Sequence, residues 1–143
     1  MALPATTEAS LMKKALRTTA AIVVGYAAMV ILITLVQETW LGGVGWHESP
    51  LDILALAGFL TAVSGAIGAI IATALSRSCG RIPAFVMSSL IVLETTALVL
   101  TGKASGPLWF DLLAASSLII AILFGAELFL RLTGSTPRQS SAG

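Results

Sequence analysis

The sequence has little charge, one cysteine and one histidine, and each scarcity closes off a class of function. Lys, Arg, Asp and Glu together make up 10% of the 143 residues. A soluble domain carries about 25% charged residues, so this chain cannot cover a water-facing surface. The net charge is +1, too small for the basic field that nucleic acid demands, and no nucleic-acid partner is expected. Cys79 stands alone. No intrachain disulfide can close, which excludes the paired-cysteine chemistry of small four-helix membrane oxidoreductases. It reads as a thiol in a reduced loop. One histidine, one cysteine and no paired intramembrane acids leave little from which to build catalysis. The chain is expected not to be an enzyme and to carry no cofactor. His47, Glu48 and Asp52 lie close in sequence, but one imidazole with two flexible acids is a poor donor set, and no metal site is expected.

What the sequence has in excess is apolar residues: 57% of the chain, with a mean hydropathy of +0.97. They fall in four long runs. The first, residues 18–37, lies between Arg17 and Glu38; the second, 53–76, between Asp52 and Arg77. The third, 82–102, lies between Arg81 and Lys103 and is broken once, by Glu94. The fourth covers 108–132, with an uncharged centre at 112–126. About 20 apolar residues in a helix cross a ~30 Å hydrocarbon layer. The runs are continuous rather than alternating, which argues against an outer-membrane barrel. The expected fold is therefore all-α: an integral membrane four-helix bundle with helices near 18–37, 51–76, 82–102 and 108–132. Residues 1–17 are expected as a cytoplasmic segment, with 1–10 and 133–143 as disordered tails. The first run exceeds the 7–15 apolar residues of a signal peptide and is followed by Gln37-Glu38-Thr39-Trp40, with no small-x-small cleavage site.

Charge asymmetry sets an expected orientation. With the N-terminus inside, Lys13, Lys14, Arg17, Arg77, Arg81, Arg131 and Arg138 all fall on the inner side, and only Lys103 falls outside. That is a strong positive-inside bias, and it predicts both termini in the cytoplasm of a multi-pass cell-membrane protein. Trp40, Trp46 and Trp109 all fall near outer helix ends, where an amphipathic ring is favoured. Residues 77–81 read as an inner hairpin turn. Helix starts are legible too. Ser49 suits an N-cap with Pro50 at the first helical position and Asp52 in the first turn. Gly106 and Pro107 open the fourth helix, with Asp111 near its positive end, and Pro83 sits in the first turn of the third, where a missing N–H costs nothing.

In lipid, helices pack through close backbone approach, so small residues at helical spacing report contact faces. The second helix carries Gly58, Thr61, Gly65, Gly68 and Ala72; the first carries Thr18, Ala21, Gly25 and Ala28; the fourth carries Ser117, Ala121 and Gly125. These rows hold the bundle together or, on the second helix above all, form a face for a second copy of the chain or another membrane protein.

Glu94 is the one acid deep in an apolar run. An ionised carboxylate there costs about 2.5–3.5 kcal/mol on insertion scales. Arg81 and Lys103 are roughly 20 and 14 Å away along a helix, too far to pair easily. Counting inward from the outer helix ends brings Thr34, Thr61, Ser64, Ser116 and Ser117 to its level, with Thr95 and Thr96 beside it. These hydroxyls form an expected polar layer that hydrogen-bonds Glu94, either as structural glue or as a proton- or cation-binding site. Glu127 and Arg131 are spaced for an ion pair, and Tyr26 is expected to pack or hydrogen-bond rather than react.

Lys13-Lys14 before the first helix, Val24-Gly25-Tyr26 within it and Gly80-Arg81-Ile82-Pro83 at the inner turn give a layout that resembles uncharacterised small four-helix inner-membrane proteins of bacteria. That resemblance implies a membrane location and no functional residues. Helix count and a membrane glutamate are also similar to the small multidrug resistance transporters, but there the glutamate lies in the first helix and here it lies in the third. The expected function is a non-catalytic scaffold or accessory subunit acting through helix contacts in the lipid bilayer. The alternative is a small proton-linked transporter using Glu94.

Overall fold

The computed structural model describes residues 5–44, 49–76, 79–103 and 107–134. Among them all regular structure is helical: α1 (Ala5–Thr34) running on into a π-helical segment (Leu35–Trp40), α2 (Leu51–Leu75), α3 (Ile82–Leu100) and α4 (Leu108–Leu132). All four helices are long and apolar enough to cross a membrane. Arg17, Arg81 and Arg131 mark one end of the bundle, the basic end; Trp40 and Trp109 mark the other, the tryptophan end. Trp46, His47, Glu48, Arg77, Gly106 and Arg138 lie outside the described residues.

Three local differences from the sequence reading have physical causes. α1 begins at Ala5, not near residue 18, so residues expected to be disordered are helical. Ala, Leu, Met, Glu and Lys dominate this stretch and are good helix formers, and extending an existing helix avoids the cost of nucleation. Pro50 is itself the N-cap of α2, with Leu51 first in the helix and no side-chain cap bond; the N–H of Leu54 donates to the Pro50 carbonyl. Proline's fixed φ with an extended ψ of 155° lets it end the loop instead of opening the helix. Finally, the last turn of the first span widens: the N–H of Leu41 donates to Val36 O and that of Gly43 to Gln37 O. Gly42 and Gly43, at φ 72° and 89°, then stop the helix in a conformation that costs glycine nothing.

α2 is the centre of the bundle. It packs on α1 along one side and on α4 along another, while α3 packs chiefly on α4. Small residues make this possible. A Cβ at Gly25 would lie 2.6 Å from both Ala72 Cβ and Gly68 O, and one at Gly68 would lie 2.7 Å from Gly25 O. The two backbones thus face each other directly, the geometry in which Cα–H···O contacts form. On the other side Gly65 meets Leu118 and Ile122, and Gly125 meets the backbone of Ala66. The stripe read from α2 therefore splits into two faces, both covered within the chain. Gly58, expected on the same stripe, has nothing within 4 Å of a Cβ, because it lies on an exposed side of α2 while its neighbour Ala57 is the buried residue at that level. The core between the helices is built from Met29, Ala69, Ala72, Ala84, Met87, Ile91, Leu118, Ile122 and Ala126. Large apolar side chains such as Val23, Phe59, Leu93, Ile120 and Phe124 point outward.

The basic end is fastened by charge. Arg81 reaches Glu127 Oε2 through Nη2 at 2.7 Å and Nε at 2.9 Å, and Arg131 reaches Oε1 at 2.9 Å. The expected pair of Glu127 and Arg131 is thus part of a triad joining the start of α3 to the end of α4. Arg17 Nε donates to the carbonyl of Leu75 at 3.1 Å, satisfying one of the carbonyls left open at the end of α2.

Candidate functional site

The buried face of α3 reads Pro83, Ala84, Met87, Ser88, Ile91. Continuing the same three- and four-residue step gives Glu94, Thr95 and Leu98, but no α3 residue beyond Ile91 is buried. These positions line a crevice instead. α3 is seated on the bundle in its basic half and stands away in its tryptophan half.

The crevice has two lobes. One, of about 260 Å³, lies between α3 and α4 and is lined by Thr95, Leu98, Lys103, Asp111 and Ala115 among others. The other, of about 270 Å³, lies between α1 and α3 and is lined by Tyr26, Val30, Ile33 and Thr34 among others. Thr61, Ile91, Glu94 and Leu118 line both, so Glu94 stands on the divide. Tyr26 Oη donates to Glu94 Oε2 at 2.6 Å, a short hydrogen bond of the kind a carboxylate accepts. Glu94 Oε1 has no hydrogen bond among the described residues. The floor is positioned by the π-helical segment: Gln37 Nε2 donates to Thr61 Oγ1 at 3.0 Å. A π turn changes which side chains face inward, and such turns recur at functional sites. Toward the tryptophan end, Asp111 Oδ2 is buried with no hydrogen-bond partner among the described residues, in the same lobe as Lys103.

The expected hydroxyl layer is only partly assembled. Thr34 and Thr61 reach the crevice with Glu94. Ser64, Ser116 and Ser117 turn their hydroxyls back onto their own helices, at Leu60 O, Leu112 O and Ala114 O, as does Thr96 onto Val92 O. No serine or threonine hydroxyl among the described residues bonds to Glu94; the phenol of Tyr26 does. Tyr26, Gln37, Lys103 and Asp111 were not part of the layer read from sequence, which placed no second acid and no base at the depth of Glu94. The cause is a difference in helix ends. Tyr26 is fourteen residues from Trp40, and Glu94 only six from Leu100. Equal counts from the two ends do not mark equal depth, because α1 continues through its π-helical segment. The one usable signal was that Tyr26 is the sole tyrosine and interrupts an apolar run. Among the described residues no group of three or more His, Cys, Asp or Glu side chains converges to hold a metal ion.

Fold and site together define a class: an all-helical bundle with four membrane-length helices and a carboxylate–phenol pair in an open-sided crevice. No protein-family model, curated protein or solved structure matches the chain.

Proposed function

We propose that this chain is a multi-pass protein of the bacterial inner membrane with both termini cytoplasmic, and that it acts there, without catalysis, as a small proton-linked carrier that binds a proton or cation at Glu94. Membrane residence is supported by the apolar exterior, which would aggregate in water. The orientation rests on the basic residues gathered at one end and the tryptophans at the other.

The carrier reading rests on one observation: Glu94 keeps one oxygen on Tyr26 and stands, itself exposed, where both lobes of an open-sided crevice meet. A carboxylate serving only as glue would have both oxygens satisfied between packed helices, since unpaired buried polar groups are costly. Tyr26 orients the carboxylate, Thr61 and Gln37 set the floor, and Asp111 with Lys103 stand at the mouth. The test is flux in liposomes that contain only this protein, with an entrapped pH dye and a panel of monovalent cations outside. Wild type should move protons in exchange for at least one cation. Glu94→Gln, reconstituted to the same level, should not. Equal flux from the two proteins, or none from either, refutes the reading.

A second reading, an accessory subunit, is favoured by the unpacked half of α3, where Val92, Leu93 and Leu100 are exposed. A stoichiometric membrane partner that is released by bulky changes at Leu93 would support it.

A further inference from the structure

The helical stretch before Thr18 extends past the bundle. Arg17 is level with the end of α2, because its guanidinium holds the Leu75 carbonyl. The twelve residues of α1 before it, 5–16, add roughly 18 Å at 1.5 Å per residue. This extension is amphipathic. At about 100° per residue, Leu11, Met12, Ala15 and Leu16 fall within an arc of about 140°, and Lys13, Lys14 and Arg17 within an opposing arc of about 100°. Among the described residues nothing covers the apolar arc: Leu11, Met12 and Leu16 are 55%, 72% and 71% exposed. Lys13 and Lys14 are exposed as well. The one acid, Glu8, sits in the first turn, where the helix dipole favours it; at the same step of about 100° it falls inside the apolar arc, so the two-faced stretch begins at Leu11.

We infer that residues 11–17 form a docking surface for anionic phospholipid on the bilayer face at the basic end. The apolar arc enters the boundary between headgroups and acyl chains, and Lys13 and Lys14 meet the headgroup phosphates. Charge selects this occupant. A second copy would bring two sets of Lys13, Lys14 and Arg17 together, whereas an anionic leaflet attracts each of them. Apolar arcs beside basic ones are the pattern of interfacial helices. α1 runs unbroken through the junction, so residues 11–17 lie within roughly 9 Å of the bundle end, near the depth of the headgroups. Thr18 Oγ1 donates to the carbonyl of Lys14 at 2.9 Å, a back-bond that favours a slight bend. Thr18 also lies 2.9 Å from Cys79 Sγ, which pins the bundle side of the joint while the extension stays uncovered.

The full chain can report this directly. In a Cys79→Ser background, Met12→Cys places a fluorophore on the apolar arc and Ser10→Cys places one on the basic arc. Each protein is reconstituted into vesicles of phosphatidylcholine alone, or mixed with phosphatidylglycerol. In the mixed vesicles the label at position 12 should shift to the blue and be quenched by lipids brominated on the acyl chain. The label at position 10 should stay in water, and high salt should reverse the shift at 12. Two results overturn the proposal. The label at 12 remains aqueous in both lipids, or it is shielded equally in both, with label-to-label transfer rising with protein density, which assigns the face to a second copy. Neither result depends on whether Glu94 carries anything.

Discussion

Placing a methyl group at Gly125 tests the α2–α4 contact most sharply. A Cβ there would stand 2.6 Å from the Ala66 carbonyl oxygen and 2.8 Å from its Cα. Ordinary van der Waals contact begins near 3.4 Å, so the helices must separate by roughly 0.8 Å, and no side-chain rotation can relieve a clash with backbone. Overpacking of this kind costs about 1–3 kcal/mol, while alanine in place of a mid-helix glycine returns about 0.5–1 kcal/mol. Gly125→Ala should therefore lose about 1–2 kcal/mol. Gly65→Ala meets the end of the Leu118 side chain, which can swing, so its loss should be smaller. Gly58→Ala meets nothing within 4 Å and should be neutral or gain slightly. Reversible unfolding of the purified proteins in mixed micelles, followed by circular dichroism, gives the three values. Equal effects at the three sites, or a wild-type value for Gly125→Ala, would show that the close approach of α2 and α4 is wrong.

Other consequences follow from single side chains. Tyr26→Phe removes the hydrogen bond to Glu94 and should lower stability by about 1–2 kcal/mol; if a Tyr26→Phe, Glu94→Ala double-mutant cycle shows no coupling, the pair is not formed. Thr73 is 1% exposed and its hydroxyl has no partner among the described residues, so Thr73→Val should raise stability by about 1 kcal/mol, and a loss would reveal a partner for that oxygen. Glu127→Gln releases both Arg81 and Arg131 and should lower the melting temperature slightly, in a way that 1 M salt erases, since such pairs are screened. Gln37→Ala releases Thr61 and should loosen the crevice floor, read as faster labelling of a cysteine placed at Thr95, which lines the same lobe, in a Cys79→Ser background.

The helices themselves were legible because their cause is local. A continuous apolar run near 20 residues long has one stable form in lipid, and observed α2, α3 and α4 fall within two residues of the expected bounds. Small residues are equally local in meaning: Gly25, Gly65, Gly68, Ala72 and Gly125 could be named as contact positions because only they let backbones approach. Their partners were not legible, since Gly65 and Gly68 lie on one row in sequence and yet serve α4 and α1 respectively.

Sequence alone determined four apolar helices, the bounds of α2, α3 and α4 to within two residues, a basic end opposite a tryptophan end, and Glu94 as the one acid within them. Tertiary structure decided what Glu94 meets. Ser64, Ser116 and Ser117 can satisfy their hydroxyls on their own helices one turn back, so proximity in depth gave them no reason to turn inward. A carboxylate on α3 has no such local partner. Its neighbour is set by how far each helix runs and where α3 leaves the bundle, and those quantities exist only once four helices are packed.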